Sequence, residues 1–176
     1  MLYQETPLPG VIVIDLEQIR DERGFFARSW CAEQFASKGL SNRIAQINTA
    51  HNALAGTLRG LHYQREPHAE VKVVHCPYGA VFDVALDLRP ASPAFGHWYG
   101  LELSGDNHRA LYIPEGCAHG YITLRDNSGL TYTTSQRYEP TSATGVRFDD
   151  PQFAISWPMA PTIVSAADRG WTQFRS

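Results

Sequence analysis

What the 176-residue chain lacks narrows its function before any motif is considered. It has only three cysteines, Cys31, Cys76 and Cys117, widely spaced, odd in number and without a Cys-x-x-Cys pair. A disulfide framework and a thiolate zinc site are therefore not expected, and a reducing cytoplasm fits. No apolar run is long enough to span a bilayer, and the N-terminal Met-Leu-Tyr-Gln-Glu-Thr-Pro lacks the basic and apolar blocks of a signal peptide. Basic charge is not in excess: the net charge is -3, the pI about 6.1, and Lys and Arg form no run. Neither nucleic acid nor a membrane is an expected partner. Gly-x-Gly-x-x-Gly and Walker loops are missing, which removes a Rossmann cofactor site and an NTPase. A nucleophilic Ser or Cys triad leaves no local signature. With no repeat, low-complexity tract or linker, residues 1–176 read as one domain.

What is present is a succession of short strands. A hydrophobic content of 43% is that of an ordinary globular protein, which excludes disorder, and the length can bury a sizeable core. The β-branched stretch 10–16 reads as a strand, Asp21-Glu-Arg-Gly24 as a turn, and 25–30 as a second strand. Ala32, Phe35 and Ala36 follow helical spacing, and Gly39 suits a left-handed cap, giving one short helix. Strands are then expected over 44–49, 57–64, 71–76, 81–88, 98–103, 110–113, 120–124 and 129–138, with a loop over 52–56 and turns at Pro77-Tyr-Gly79 and Arg89-Pro-Ala-Ser-Pro93. So many short strands at close spacing predict an all-β sandwich or barrel with a turn-rich tail.

The stretch that organises the rest is Thr57-Leu-Arg-Gly-Leu-His-Tyr-Gln64, with Lys72 eight residues on. On an extended strand Leu58, Gly60, His62 and Gln64 share one face, and Arg59, Leu61 and Tyr63 the other. A histidine there suits a general base, but spacing alone favours an ordinary hydrogen-bonded core residue. His119, after the turn Pro114-Glu-Gly-Cys-Ala118, reads singly as an exposed loop histidine, Tyr132 as a strand tyrosine, Lys72 as a solvated lysine and Asp168 as a turn cap. Asp83 alternates with apolar residues, so its side chain is expected to point inward and to need a partner. A metal site is not expected: the His-x-His run of metal-binding cupins is here His62-Tyr-Gln64, and His-Glu-x-x-His is absent. A metal held by His62, His119 and a carboxylate stays open as a rival, in the manner of a cupin oxygenase or isomerase.

The longer motifs carry a resemblance. Asp21-Glu-Arg-Gly-Phe-Phe26, Leu58-Arg-Gly-Leu-His-Tyr-Gln64, Phe82-Asp-Val-Ala-Leu-Asp87, Ser92-Pro-Ala-Phe-Gly96 and Ile113-Pro-Glu-Gly-Cys-Ala-His-Gly120 closely resemble the dTDP-4-dehydrorhamnose 3,5-epimerase family. Tyr132, Tyr138-Glu-Pro140, Trp157-Pro158 and Val164-Ser-x-x-Asp168 continue the match along nearly the whole chain. The resemblance implies a cupin-type β jelly-roll barrel with one or two short helices, a homodimer, and neither metal nor organic cofactor. It also implies a nucleotide-diphosphate sugar substrate, a 4-keto-6-deoxyhexose whose epimerisation serves L-rhamnose supply for surface polysaccharide.

The family assigns His62 as the base, Asp168 as its carboxylate partner, Lys72 to the enolate oxygen and Tyr132 as the acid on the opposite ring face. By the same resemblance Arg23 and Arg59 face phosphates, Gln46 and Asn48 read the base edge, His119 meets the diphosphate or sugar, and Tyr138 stacks on the nucleobase. Phe26 and Arg28 join the binding set, and Asp83 supports it. The sequence departs from the family where a glutamate gives way to Arg28, where another is lost around Ala143 and Thr144, where a lysine becomes Ala167, and in the run Asn48-Thr-Ala-His-Asn52. These departures leave open an altered donor, CDP for dTDP, or epimerisation at one centre only, as well as plain drift at the rim. A catalytically silent sugar-binding protein is a further alternative, disfavoured because binding alone needs no acid and base on opposite ring faces.

Overall fold

A computed structural model describes residues 1–174. In chain order the elements are β1 (Leu2–Glu5), β2 (Ile12–Asp15), β3 (Ile19–Asp21), β4 (Gly24–Phe26), α1 (Ala32–Ser37), β5 (Gln46–Asn52), β6 (Thr57–Gln64), β7 (Lys72–Tyr78) and β8 (Ala80–Asp87). There follow β9 (Trp98–Ser104), β10 (Ala110–Ile113), β11 (Cys117–Thr123), β12 (Ser128–Thr134), β13 (Ala143–Gly145), β14 (Ile163–Val164) and α2 (Ala166–Arg169). One sheet has the order β1-β2-β10-β7-β12-β5 and faces a second of order β13-β6-β11-β8-β9, with β14 added to β6 in parallel. From β5 to β8 successive strands alternate between the two sheets, the strand-swapping path of a jelly roll, so the expected all-β cupin-type fold is the one observed.

Period-two alternation explains the layers. On β2, β7 and β10, Val13, Val74 and Leu111 point inward to meet Ala85, Leu103 and Tyr121 of the second sheet. Their neighbours Ile14, Val73 and Tyr112 point the other way, where Phe35 of α1 covers them. The outer face of the second sheet, with Leu61, Val84 and Ile122, is covered by the tail through Phe148, Phe153 and Trp157. Truncating an interior residue such as Leu111 costs about 2–5 kcal/mol.

The structure shifts several expectations. Strand β4 stops at Phe26 rather than Trp30, and β5 starts two residues later than expected and runs on through Asn52. Pro77 and Tyr78 remain in β7, so that turn narrows to Gly79, which has φ +73. Gly39 follows α1 at φ +71, as anticipated. A second helix, α2, forms where the sequence suggested only a turn; Ser165 caps it by accepting a hydrogen bond from the Asp168 N–H at 3.0 Å.

On β6 simple alternation fails. Register pairs His119 with His62 but Tyr121 with Arg59, so three steps on β6 oppose two on β11. This bulge sits at Gly60 and Leu61, whose peptide bond is cis, and it puts Arg59 and His62 on the same side, where counting places them on opposite faces. Gly60 has φ +123, and a Cβ on it would lie 2.5 Å from the Cα of Gly120, so only glycine fits this crossing. No described helix is long and apolar enough to cross a membrane.

Candidate active site

A cavity of about 670 Å³ opens between the sheets. His62, Asp168, Lys72 and Tyr132 all line it, as do Gln46, Asn48, Arg59, His119 and Tyr138. His62 stands on the second sheet and Tyr132 on the first, so the imidazole and the phenol belong to opposite walls. Arg23, Phe26 and Arg28 do not line it: they lie in or just after the exposed β3–β4 hairpin, with Phe26 at 67% exposure.

The His62 Nε2 hydrogen bonds to Asp168 Oδ1 at 2.5 Å. An ionised carboxylate only accepts, so Nε2 carries the hydrogen and Nδ1 keeps the free lone pair. Burial pushes the Asp168 carboxyl up, but the bond and charge of His62, with help from Ser165 and the Gly60 amide, outweigh it and leave the group below its ordinary value. Asp168 is thus held ionised beside the imidazole.

Lys72 is buried and donates to the His62 carbonyl at 3.1 Å and to Glu70 at 3.1 Å. A buried ammonium without such partners would be costly. Tyr132 is held above its ordinary value by burial and then by the negative charge of Glu70, against the opposing charge of Arg59. It therefore stays protonated at neutral pH, the form an acid needs.

His119 is not a loop residue: it lies in β11, buried, as the register partner of His62, and its Nε2 donates to Asp83 Oδ1 at 2.8 Å. Asp83 points inward as the alternation of β8 required, and His119 partners its Oδ1, while Oδ2 is buried without a partner among the described residues. Its ring lies 6.5 Å from that of Tyr132.

Glu70 and Asn52, which bond the cavity's cations Lys72 and Arg59, have no role in the sequence reading. Glu70 falls two positions before Lys72, and residues two apart in an extended chain share a face, so the ion pair had a readable signal. Asn52 continues the inward series Gln46, Asn48, Ala50 by the same spacing, but was read as loop. Of the four departures from the family pattern, three reach the cavity wall, at Ala143 and Thr144, at Ala167, and in the 48–52 run through Asn48 and Ala50; Arg28 does not. Gln64, in place of a second metal-ligating histidine, is buried with its amide nitrogen donating to the His68 and Arg137 carbonyls and its oxygen accepting from the Glu139 N–H. Among the described residues no three His, Cys, Asp or Glu side chains are grouped so as to hold a metal ion.

A jelly-roll cavity with an imidazole and a phenol on facing walls is suited to an enzyme site, and the comparisons with known proteins give its class, the carbohydrate epimerases. The family described as dTDP-4-dehydrorhamnose 3,5-epimerase matches residues 5–176. The dTDP-4-dehydrorhamnose 3,5-epimerase of Shigella flexneri is 38% identical over 97% of this chain and 94% of its own. The dTDP-4-dehydrorhamnose 3-epimerase of Streptomyces niveus is also 38% identical, over 96% of this chain and 82% of its own. A crystal structure of the 3,5-epimerase of Bacillus anthracis, with TDP and PPi bound, superposes with a TM-score of 0.95 at 36% identity, covering 98% of this chain and 99% of that one. The chain belongs to the dTDP-4-dehydrorhamnose 3,5-epimerase family.

Proposed function

We propose that the protein inverts the centres flanking the ketone of a dTDP-linked 4-keto-6-deoxyhexose, converting dTDP-4-dehydro-6-deoxyglucose to dTDP-4-dehydro-L-rhamnose at C3 and C5. The observation that carries this reading is the placement of His62 and Tyr132 on facing walls of one cavity. Carbon-bound hydrogens beside a ketone are acidic because the electron pair left behind delocalises onto the oxygen. His62 Nδ1 takes such a proton, and Asp168 balances the resulting imidazolium. The Lys72 ammonium stabilises the enolate oxygen, and Tyr132 returns a proton to the opposite ring face. General acid–base help of this kind is worth about 10²–10⁴-fold per group.

On this reading Gln46 and Asn48 meet the base edge, Tyr138 stacks on the base at the cavity rim, His119 meets the diphosphate or sugar, and Arg59 holds the diphosphate. Arg23, Phe26 and Arg28 serve a second copy, in a homodimer. What supports this is the exposed β3–β4 hairpin, apolar at Ile19, Phe25 and Phe26 and tipped by Arg23, a surface that a partner chain would cover. A mass of two chains by light scattering is expected; a monomer sinks the dimer. A reducing cytoplasm fits three cysteines that are free.

A second reading is a single-centre epimerase. The equal identity to a 3-epimerase and to a 3,5-epimerase, together with Ala143, Thr144 and Ala167 on the cavity wall, favours keeping it. Proton NMR in deuterated water with dTDP- and CDP-4-keto-6-deoxyglucose tests both. Label at C3 and C5 of the dTDP sugar is expected; label at one carbon selects the second reading, preference for CDP means an altered donor, and no label overturns the function.

A further inference from the structure

The cavity lining carries two permanent cations, Arg59 and Lys72, and they are held differently. Lys72 is paired with Glu70. Arg59 has no carboxylate partner among the described residues, and its one side-chain bond is from Nε to Asn52 Oδ1, at 2.9 Å. Holding a guanidinium by Nε leaves its two terminal nitrogens free as a fork, the geometry that meets a phosphate with two parallel bonds.

Asn52 is built to do this. It ends β5, is 2% exposed, and its Nδ2 donates to the Ser128 carbonyl at 3.1 Å and to the Tyr121 hydroxyl at 3.2 Å. A carbonyl only accepts, so the amide nitrogen must face Ser128, and the amide oxygen is thereby turned to Arg59. Tyr121 keeps its hydrogen, since burial pushes its phenol up to about 12. Every polar atom of the Asn52 side chain is thus committed: its oxygen accepts from Arg59 Nε at 2.9 Å and, at the longer distance of 3.4 Å, from the Tyr121 hydroxyl.

We propose that Asn52 is a positioning residue for the diphosphate subsite, fixing the Arg59 guanidinium by its Nε so that both terminal nitrogens face the substrate's phosphates. This rests on the reading of the cavity as a nucleotide-diphosphate sugar site. A purely structural Asn52, tying β5 to β11 and β12, would disturb all ligands alike, whereas a positioning role touches only those that carry phosphate.

Calorimetric titration with dTDP and with thymidine separates the cases. Asn52→Ala is expected to weaken dTDP about tenfold, the worth of one charge-assisted hydrogen bond, and to leave thymidine unchanged. KM for the sugar nucleotide should rise by the same factor, with kcat kept. Arg59→Lys should weaken dTDP similarly, and adding Asn52→Ala to it should change affinity by less than about twofold, because the two act through one contact. If Asn52→Ala does not fold, Asn52→Ser, too short to reach Arg59, takes the same measurements. Weakened dTDP binding in Arg59→Lys but not in the Asn52 variant overturns the role of Asn52 alone. Unchanged dTDP binding in both overturns the phosphate role of Arg59 and the proposal with it. Equal loss of dTDP and thymidine assigns Asn52 to the scaffold instead.

Discussion

Two imidazole–carboxylate pairs lie side by side in this cavity, and their difference is instructive. His62 and His119 are register partners on adjacent strands, each bonded through Nε2 to an aspartate. The His119 side chain is 8% exposed, and Asp83 comes from the neighbouring strand β8, only 36 residues away along the chain. The His62 side chain is 45% exposed, and Asp168 reaches it from α2, 106 residues away. One pair is sealed into the sheet; the other turns an imidazole toward the open cavity, with a carboxylate that arrives only when the tail docks. Similar chemistry in two degrees of exposure fits two tasks, holding a wall and moving a proton.

Substitutions can break or sharpen this contrast. The largest effect is expected from His62→Ala, which should slow turnover by about 10²–10⁴-fold, while His119→Ala costs far less in kcat than in KM; steady-state kinetics with the dTDP sugar check both. An equal loss of kcat in the two variants would erase the distinction. Asp168→Asn is expected to lower kcat on the order of 10–100-fold, the value of a hydrogen bond to a charged group, with the fold retained by circular dichroism. Asp83→Ala, by contrast, should act on stability, removing about 1–3 kcal/mol in urea unfolding, since it strands the buried His119 N–H.

The smallest expected effect is on the pH dependence of stability. The folded-state value of Asp168 is depressed, so its pairing stabilises the fold fully above the ordinary carboxyl value and is lost as pH falls through the folded value. The stability gap between the wild-type protein and Asp168→Asn should therefore be widest near neutrality and close on acidification. A gap that is constant down to low pH would mean that the carboxylate charge does not tie the tail to the barrel.

How far the sequence spoke for itself differs between these regions. The limits of β6 were legible to the residue, because Thr57 to Gln64 is flanked by turn residues and rich in large side chains. The bulge within it was not: one inserted residue leaves composition untouched while reversing the faces, and only the close approach of Gly60 to Gly120 reveals it. His119 was misjudged as loop because β11 begins at Cys117, directly after the Pro114-Glu-Gly116 turn. Lys72 reads as solvated from spacing alone, since its burial depends on Glu70 and the fold of β7 against β12. Asp168 was findable only through the family motif, because a one-turn helix has too little periodicity to announce itself. Arg23, Phe26 and Arg28 were expected at the site, yet they lie outside the cavity of their own chain.

The central claim is that His62 and Tyr132 work from opposite faces of one bound sugar. Deuterium uptake at the ring carbons beside the ketone, followed by NMR in deuterated water with His62→Ala and Tyr132→Phe, tests it most directly. No uptake is expected with His62→Ala, and uptake without inverted product with Tyr132→Phe. Uptake by His62→Ala at the wild-type rate, or unimpaired inversion by Tyr132→Phe, would contradict it.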